Sequence, residues 1–269
     1  MEKEILVFAD QTAVQNKDNT SRLYYLLGTK NRQTKITTRI KLNANGYQAT
    51  NGNSLILFQP NTRTFEEIKS LIQLRIVNCE NEDLISELKN ILTDAKLDET
   101  KIYNQLKAEN TIDILKNEFN EFIANNNSSE KQFLVKIKNK ANKLNPEKHT
   151  NIENIQKEIL IKSLNKEYLI NNLQKERKIV VILDNYSVHK ANLVIQASEI
   201  LNIKLIHLPV HSPHLNPIEQ VWKSIKKHMA NYLFDTIEFM EKLFETEFYR
   251  IVNNDSYYKN WIKKFIDFN

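Results

Sequence analysis

KIVVILDNYSVHK (residues 178–190) and LPVHSPHLNPIEQVW (residues 208–222) decide how this chain reads. Ile179 to Leu183 is continuously apolar, the pattern of a strand covered on both faces, and it stops at an acid, Asp184. A helix is expected over Lys190 to Asn202, then a second buried-type strand, Lys204 to Leu208. The second stretch holds three of the five prolines, Pro209, Pro213 and Pro217, and opens an amphipathic helix from Pro217 to about Asn231. Proline at a helix start forfeits no hydrogen bond, and the other two stiffen the approach. Glu219 falls in that helix's first turn, with 34 residues between it and Asp184.

Working outward, the beginning of the chain also reads as strands. Glu4 to Asp10 contains Ile5, Leu6, Val7 and Phe8 and ends in an acid. Extended segments at Lys35 to Leu42 and Ser54 to Phe58, with turn signals Asn45-Gly46 and Asn51-Gly52, predict an antiparallel meander. Thr64 and Glu67 have capping-box spacing for a helix burying Phe65, Ile68, Leu71, Ile72 and Ile76. From Cys79 to Arg177 there is no glycine and one proline, Pro146. Apolar stripes at helical spacing recur there: Leu84, Ile85, Leu88, Ile91, Leu92; then Ile112, Leu115, Phe119, Phe122, Ile123; then Ile152, Ile155, Ile159, Leu160. Asn125 to Ser129 makes a polar break between helices. Two helices, Thr236 to Val252 and Asp255 to Phe268, should close the chain.

This order predicts an α/β fold formed by residues 1–78 and 178–269, with 79–177 as a large all-α insertion before the fourth strand. The first and fourth strands can then lie side by side. That would bring together Asp10 and Asp184, which are 174 positions apart.

Composition narrows the alternatives. Three glycines and five prolines in 269 residues exclude collagen-like and turn-dense all-β chains. The single Cys79 excludes an internal disulfide and a Cys-rich zinc module, as expected of a cytoplasmic protein. The run Ile5 to Ala9 is too short to span a membrane, so no membrane partner is expected. A net charge of +5 suits a polyanion partner, but the charge is uneven. Residues 80–130 carry 5 basic and 12 acidic groups, and 131–178 carry 12 basic and 5 acidic.

Asp10, Asp184 and Glu219 sit where side chains leave a core and face a cleft. Clustered carboxylates raise one another's pKa unless a cation neutralises them, and hard divalent ions with oxygen ligands do so best. Asn216 is placed to cap the helix that opens at Pro217. Ile218, Val221, Trp222, Ile225 and Met229 form its inward stripe, while Glu219, Lys223, Lys226 and Lys227 share the outer face, where a phosphate backbone could lie. His189, His207, His211 and His214 come from neighbouring segments but lack the regular spacing of a zinc site.

The runs DNYSVHK and LNPIEQVW, whose acids Asp184 and Glu219 have 34 residues between them, resemble the catalytic core of mariner-like DDE transposases, including their prokaryotic insertion-sequence branch. The resemblance implies a ribonuclease H-like fold, a mixed five-stranded sheet flanked by helices. It implies Asp10, Asp184 and Glu219 as a metal-binding catalytic triad holding two Mg²⁺ ions, with Mn²⁺ able to substitute. His189 and Asn185 would stand beside the site, with Asn216 and the three lysines near DNA. The expected activity is DNA strand cleavage and strand transfer, with transposon ends and target DNA as partners and a homodimer in the DNA complex. Gln11 stands where the family commonly has Glu. Because the first strand begins at residue 4, ahead of which the family carries helix-turn-helix modules, a separate helix-turn-helix chain is a further expected partner. The cell would be prokaryotic and the protein cytoplasmic, associated with the nucleoid when acting. The alternatives are an inactive remnant or recruited DNA-binding protein, or a nuclease on the same scaffold that cuts without joining.

Overall fold

A computed structural model describes residues 4–15, 40–59, 63–94, 157, 160–210, 212–230, 232 and 234–254. It divides into two units, one formed by Met1–Asn81 and Asn171–Asn269 and the other by Glu82–Ile170.

In the first unit the central strands form because β-branched and aliphatic runs can be covered on both faces. Five strands, β1 (Ile5–Gln15), β2 (Lys41–Ala49), β3 (Leu55–Phe58), β4 (Ile179–Leu183) and β5 (Ile203–His207), lie in the order β3-β2-β1-β4-β5. The pairs β1–β2 and β2–β3 are antiparallel, and β1–β4 and β4–β5 are parallel. This is the mixed sheet of a ribonuclease H-like fold. β4 is buried almost throughout. β5 is not: at the sheet edge it alternates, with Ile206 39% exposed, which corrects the expectation of a second fully buried strand.

Two further strand expectations are corrected. β1 does not end at Asp10 but runs five residues past it to Gln15, because β2 is long enough to pair with it as far as Lys41. Asn45-Gly46 is not a turn; it lies inside β2, opposite Gln11 and Asp10. The turn to β3 is the second signal, around Asn51-Gly52, and it is held by Asn51 Nδ2 donating to the Glu4 carbonyl at 2.8 Å. Residues 35–39 of the expected second strand lie outside the described residues.

Helices cover both sides. α1 (Thr64–Val77) buries Phe65, Ile68, Leu71, Ile72 and Leu74, while Ile76, expected inward, is only partly buried. Its residue Arg75, fully buried, donates from Nε, Nη1 and Nη2 to the carbonyls of Leu201, Arg177 and Asn202, each at 2.9 Å. One guanidinium thus ties α1 to the chain entering β4 and to the turn before β5. Lys190 closes a 3-10 turn (Ser187–Lys190), and the expected helix begins two residues later as a helix over Asn192–Ile200.

On the other side lie the helices Ile218–Met229 and Ile237–Val252, against Phe8, Val14, Leu42, Ala44 and Ile56. Thr236 caps the latter by accepting from the Phe239 amide at 3.2 Å. The predicted inward stripe Ile218, Val221, Trp222, Ile225 and Met229 is buried as expected. Trp222 packs on the rings of Phe244 and Phe248. A Cβ at Gly46 would collide with the Trp222 ring and lie 3.2 Å from Ile218 Cδ1, so this glycine serves close approach between sheet and helix.

In the second unit, α2 (Glu82–Asp94) buries Leu84, Leu88 and Ile91, and Leu160, Ile161 and Leu164 are buried in a helical stretch at 160–164. Glu87 there accepts from Lys166 at 2.8 Å and from the Tyr168 hydroxyl at 2.6 Å. The stripe from Ile112 to Ile123, the break at Asn125 to Ser129, most of the third stripe and the last helix, Asp255 to Phe268, lie outside the described residues. Among the described residues no helix is long and apolar enough to cross a membrane.

Candidate active site

Strand register brings two of the acids together. In the parallel pair β1–β4, Phe8 faces Ile182, so Asp10 and Asp184 each stand two residues beyond the same matched position. β4 has ended by then and β1 continues, which leaves the Asp10 side chain at the rim of the sheet. Its Oδ2 accepts a hydrogen bond from the Trp222 indole Nε1 at 2.9 Å. Burial, then the nearby Glu219 charge, push the Asp10 carboxyl up to about 7, with Asp184 adding to the rise; the Gln11 amide and the Trp222 indole oppose it. Both other acids therefore act on Asp10 as charges.

Asp184 is the most open of the three, its side chain 57% exposed. Its Oδ1 accepts from the Tyr186 amide at 3.2 Å and lies 3.3 Å from His189 Nε2. The imidazole holds the Asp184 carboxyl below its usual range. His189 itself is buried in the 3-10 turn, and its Nδ1 lies 3.2 Å from Oε1 of Glu67, on the inner side of α1. Burial opposes a charge on this ring, but the carboxylates of Asp184 and Glu67 outweigh it and raise the pKa to about 9. Oε1 of Glu67 also accepts from the Tyr47 hydroxyl at 3.4 Å, and Tyr47 in turn receives Asn45 Nδ2 at 3.2 Å. Glu67 is thus not the expected capping-box partner: Arg63 stands at the N-cap of α1, and no side chain caps the helix. The missed signal was an acid on the apolar side of α1, in line with Leu71 and Leu74.

Glu219 enters from the third direction. It lies in the first turn of the helix Ile218–Met229, as expected, but Asn216 does not cap that helix. Buried at 3% exposure, Asn216 instead donates from Nδ2 to the Ala9 carbonyl at 2.9 Å, while its own carbonyl accepts from the Glu219 amide at 3.2 Å. One side chain thereby latches the start of Glu219's helix to the residue before Asp10. Lys223, Lys226 and Lys227 are exposed on the outer face. Asn185 Oδ1 and Asn216 Oδ1 are buried without a hydrogen-bond partner. His207 Nδ1 lies 3.3 Å from the Asp184 carbonyl, His214 is exposed, and His211 lies outside the described residues.

No group of three His, Cys, Asp or Glu side chains among the described residues forms a ready metal cage. The donor chemistry nonetheless fits a hard divalent ion. All three candidates are oxygen ligands, and Asp10 pays a cost in burial and repulsion that a cation would relieve. Tyr186 and His189 engage the same oxygen of Asp184, so its second oxygen is clear of those contacts, while on Asp10 the Trp222 indole engages Oδ2 and the Gln11 amide also hydrogen-bonds the carboxylate.

The sequence profile of a family described as DDE superfamily endonuclease matches residues 125–241, a span that includes Asp184, His189, Asn216 and Glu219. No curated protein sequence matches the chain. Solved structures with a related chain course include the Mos1 transposase paired-end complex with left transposon end, at 14% identity and a TM-score of 0.47, covering 97% of this chain and 52% of that one. The Mos1 mariner paired end complex with Mn gives 13% and 0.48, with coverage of 97% and 52%. The catalytic domain of Mos1 mariner transposase gives 12% and 0.44, with coverage of 97% and 76%. The chain spans about half the length of the transposase in the first two.

Proposed function

We propose that this chain, which carries the DDE-superfamily signature over residues 125–241, is the catalytic domain of a mariner-like transposase that cuts and rejoins DNA strands. The observation that carries the reading is the register of β1 on β4, which sets Asp10 and Asp184 level at the sheet rim, with Glu219 close enough to raise the Asp10 pKa. Residues 1–78 and 178–269 make up the catalytic domain in this reading, and 79–177 the helical insertion.

Asp10, Asp184 and Glu219 would hold Mg²⁺ or Mn²⁺, two ions per site, whose chemistry is to activate a water or a DNA 3′-hydroxyl and to stabilise the departing oxygen. The chain's own groups set up that chemistry. Trp222 and His189 restrain the two aspartates, and the Asn216 latch keeps Glu219's helix in step with β1. Lys223, Lys226 and Lys227 extend from the helix that carries Glu219 and suit the phosphates of a DNA strand beside the acids. Asn185 and His189 adjoin the same rim. Nucleophilic attack by water gives cleavage and attack by a 3′-hydroxyl gives joining, with no covalent protein–DNA intermediate. Transposon ends and target DNA are the proposed substrates, with a homodimer and a separate helix-turn-helix chain as proposed partners in a prokaryotic cytoplasm.

The test is Mn²⁺-dependent nicking of supercoiled plasmid by the wild type and by Asp184→Asn, purified side by side. The wild type should nick and the variant should be inactive. Equal nicking by both would place the activity elsewhere, and silence from a folded wild type would favour a remnant without catalysis.

A further inference from the structure

Resting on that reading of the site, we propose that Glu67 and His189 are positioning residues for Asp184: a buried carboxylate sets the imidazole, and the imidazole sets the metal-ligating acid. The polar chain runs across four elements, from Asn45 and Tyr47 in β2, through Glu67 in α1 and His189 in the 3-10 turn, to Asp184 beyond β4.

Burial makes the arrangement more than a surface ion pair. Glu67 is 3% exposed and His189 6%, and among the described residues His189 is the only charged partner at ion-pair distance from Glu67. A carboxylate so enclosed is costly unless it is paired, and replacing it with an apolar residue would often stabilise a core. Its presence on the apolar side of α1 therefore calls for a role other than packing. The ring nitrogens of His189 face one carboxylate oxygen on each side, so a flipped ring would turn carbon towards both acids. Glu67 thereby selects the ring orientation that aims Nε2 at Asp184 Oδ1. The Tyr186 amide engages the same oxygen. Asp184 is held through Oδ1, and its other oxygen stays clear of both contacts. This is the logic by which outer carboxylate–histidine partners orient metal ligands, here with the histidine standing between two acids.

The experiment is Mn²⁺ binding, followed by electron paramagnetic resonance of the free ion, on full-length wild type, Asp184→Asn, Glu67→Gln, His189→Asn and the Glu67→Gln/His189→Asn double variant. Thermal melts identify which variants fold. Asp184→Asn should abolish binding. Glu67→Gln and His189→Asn should each weaken it about tenfold. The double variant should bind no more weakly than His189→Asn alone, because Glu67 acts through the ring. If Asp184→Asn loses the metal while folded Glu67→Gln binds within twofold of wild type, the positioning role is overturned and the metal site stands. Losses that multiply in the double variant would also overturn it. If Glu67→Gln does not fold, His189→Asn decides alone, and wild-type affinity in that variant overturns the proposal. A folded wild type that binds no Mn²⁺ would overturn the metal site and the positioning role together.

Discussion

Removing the Asp10 charge should stabilise the metal-free protein at neutral pH. The folded state lifts this carboxyl from 3.8 to about 7. Between those values the folded chain binds more protons than the unfolded chain, so stability falls as pH rises through the window. At 1.36 kcal/mol per unit, the shift amounts to at most about 4 kcal/mol by pH 8. Asn cannot ionise, so Asp10→Asn should escape that loss and can still accept the Trp222 hydrogen bond through its amide oxygen. Urea unfolding of both proteins with a chelator at pH 5 and pH 8 measures the difference directly. The variant should gain about 2–4 kcal/mol on the wild type at pH 8 and much less at pH 5. Mg²⁺ should then raise the stability of the wild type and leave the variant nearly unchanged, since a cation relieves the same burial and repulsion. Parallel pH profiles, or a variant less stable than wild type at pH 8, would refute the argument that burial and Glu219 strain this acid.

Other consequences follow from single contacts. Arg75→Met removes the guanidinium from the Leu201, Arg177 and Asn202 carbonyls, of which Asn202 keeps the Ile179 amide at 3.2 Å, and the denaturation midpoint should report a loss of at least about 2 kcal/mol; a loss below about 1 would show that water replaces the guanidinium. Gly46→Ala forces the Trp222 ring away and should destabilise the protein by about 1–3 kcal/mol while also reducing nicking, because the displaced indole is the Asp10 donor. Wild-type stability in that variant would mean that the helix moves freely on the sheet. Changing Lys223, Lys226 and Lys227 to Ala should flatten the salt dependence of DNA affinity, measured by fluorescence anisotropy, by about 0.9 in log–log slope for each lysine that meets a phosphate. An unchanged slope would move the DNA to another face.

Local pattern made much of the first unit legible. The continuous apolar run of β4 is what a doubly covered strand needs, and the stripe from Ile218 to Met229 is what one face of a helix needs. Both were read correctly because burial selects residues at the spacing of the element itself. Where one local signal admitted two meanings, the reading failed. Asn-Gly marks a hairpin turn when φ must be positive, but Gly46 is there because an indole lies against it. Thr64 and Glu67 have capping-box spacing, yet Glu67 turns inward to a histidine 122 positions later in the chain.

The sequence alone supplied the candidate acids: Asp184 and Glu219 with 34 residues between them in a recognisable setting, a third ending the apolar run near the start, and a basic row beside Glu219. Tertiary structure alone decided how those acids are held. The Trp222 indole reaches Asp10 across 212 positions, and Asn216 reaches Ala9 across 207. Such contacts depend on strand register and on how helices seat on the sheet, which are set by the packing of the whole domain. Periodicity and spacing report which way a side chain faces within its own element; which group it meets there is settled only when distant elements are brought into contact.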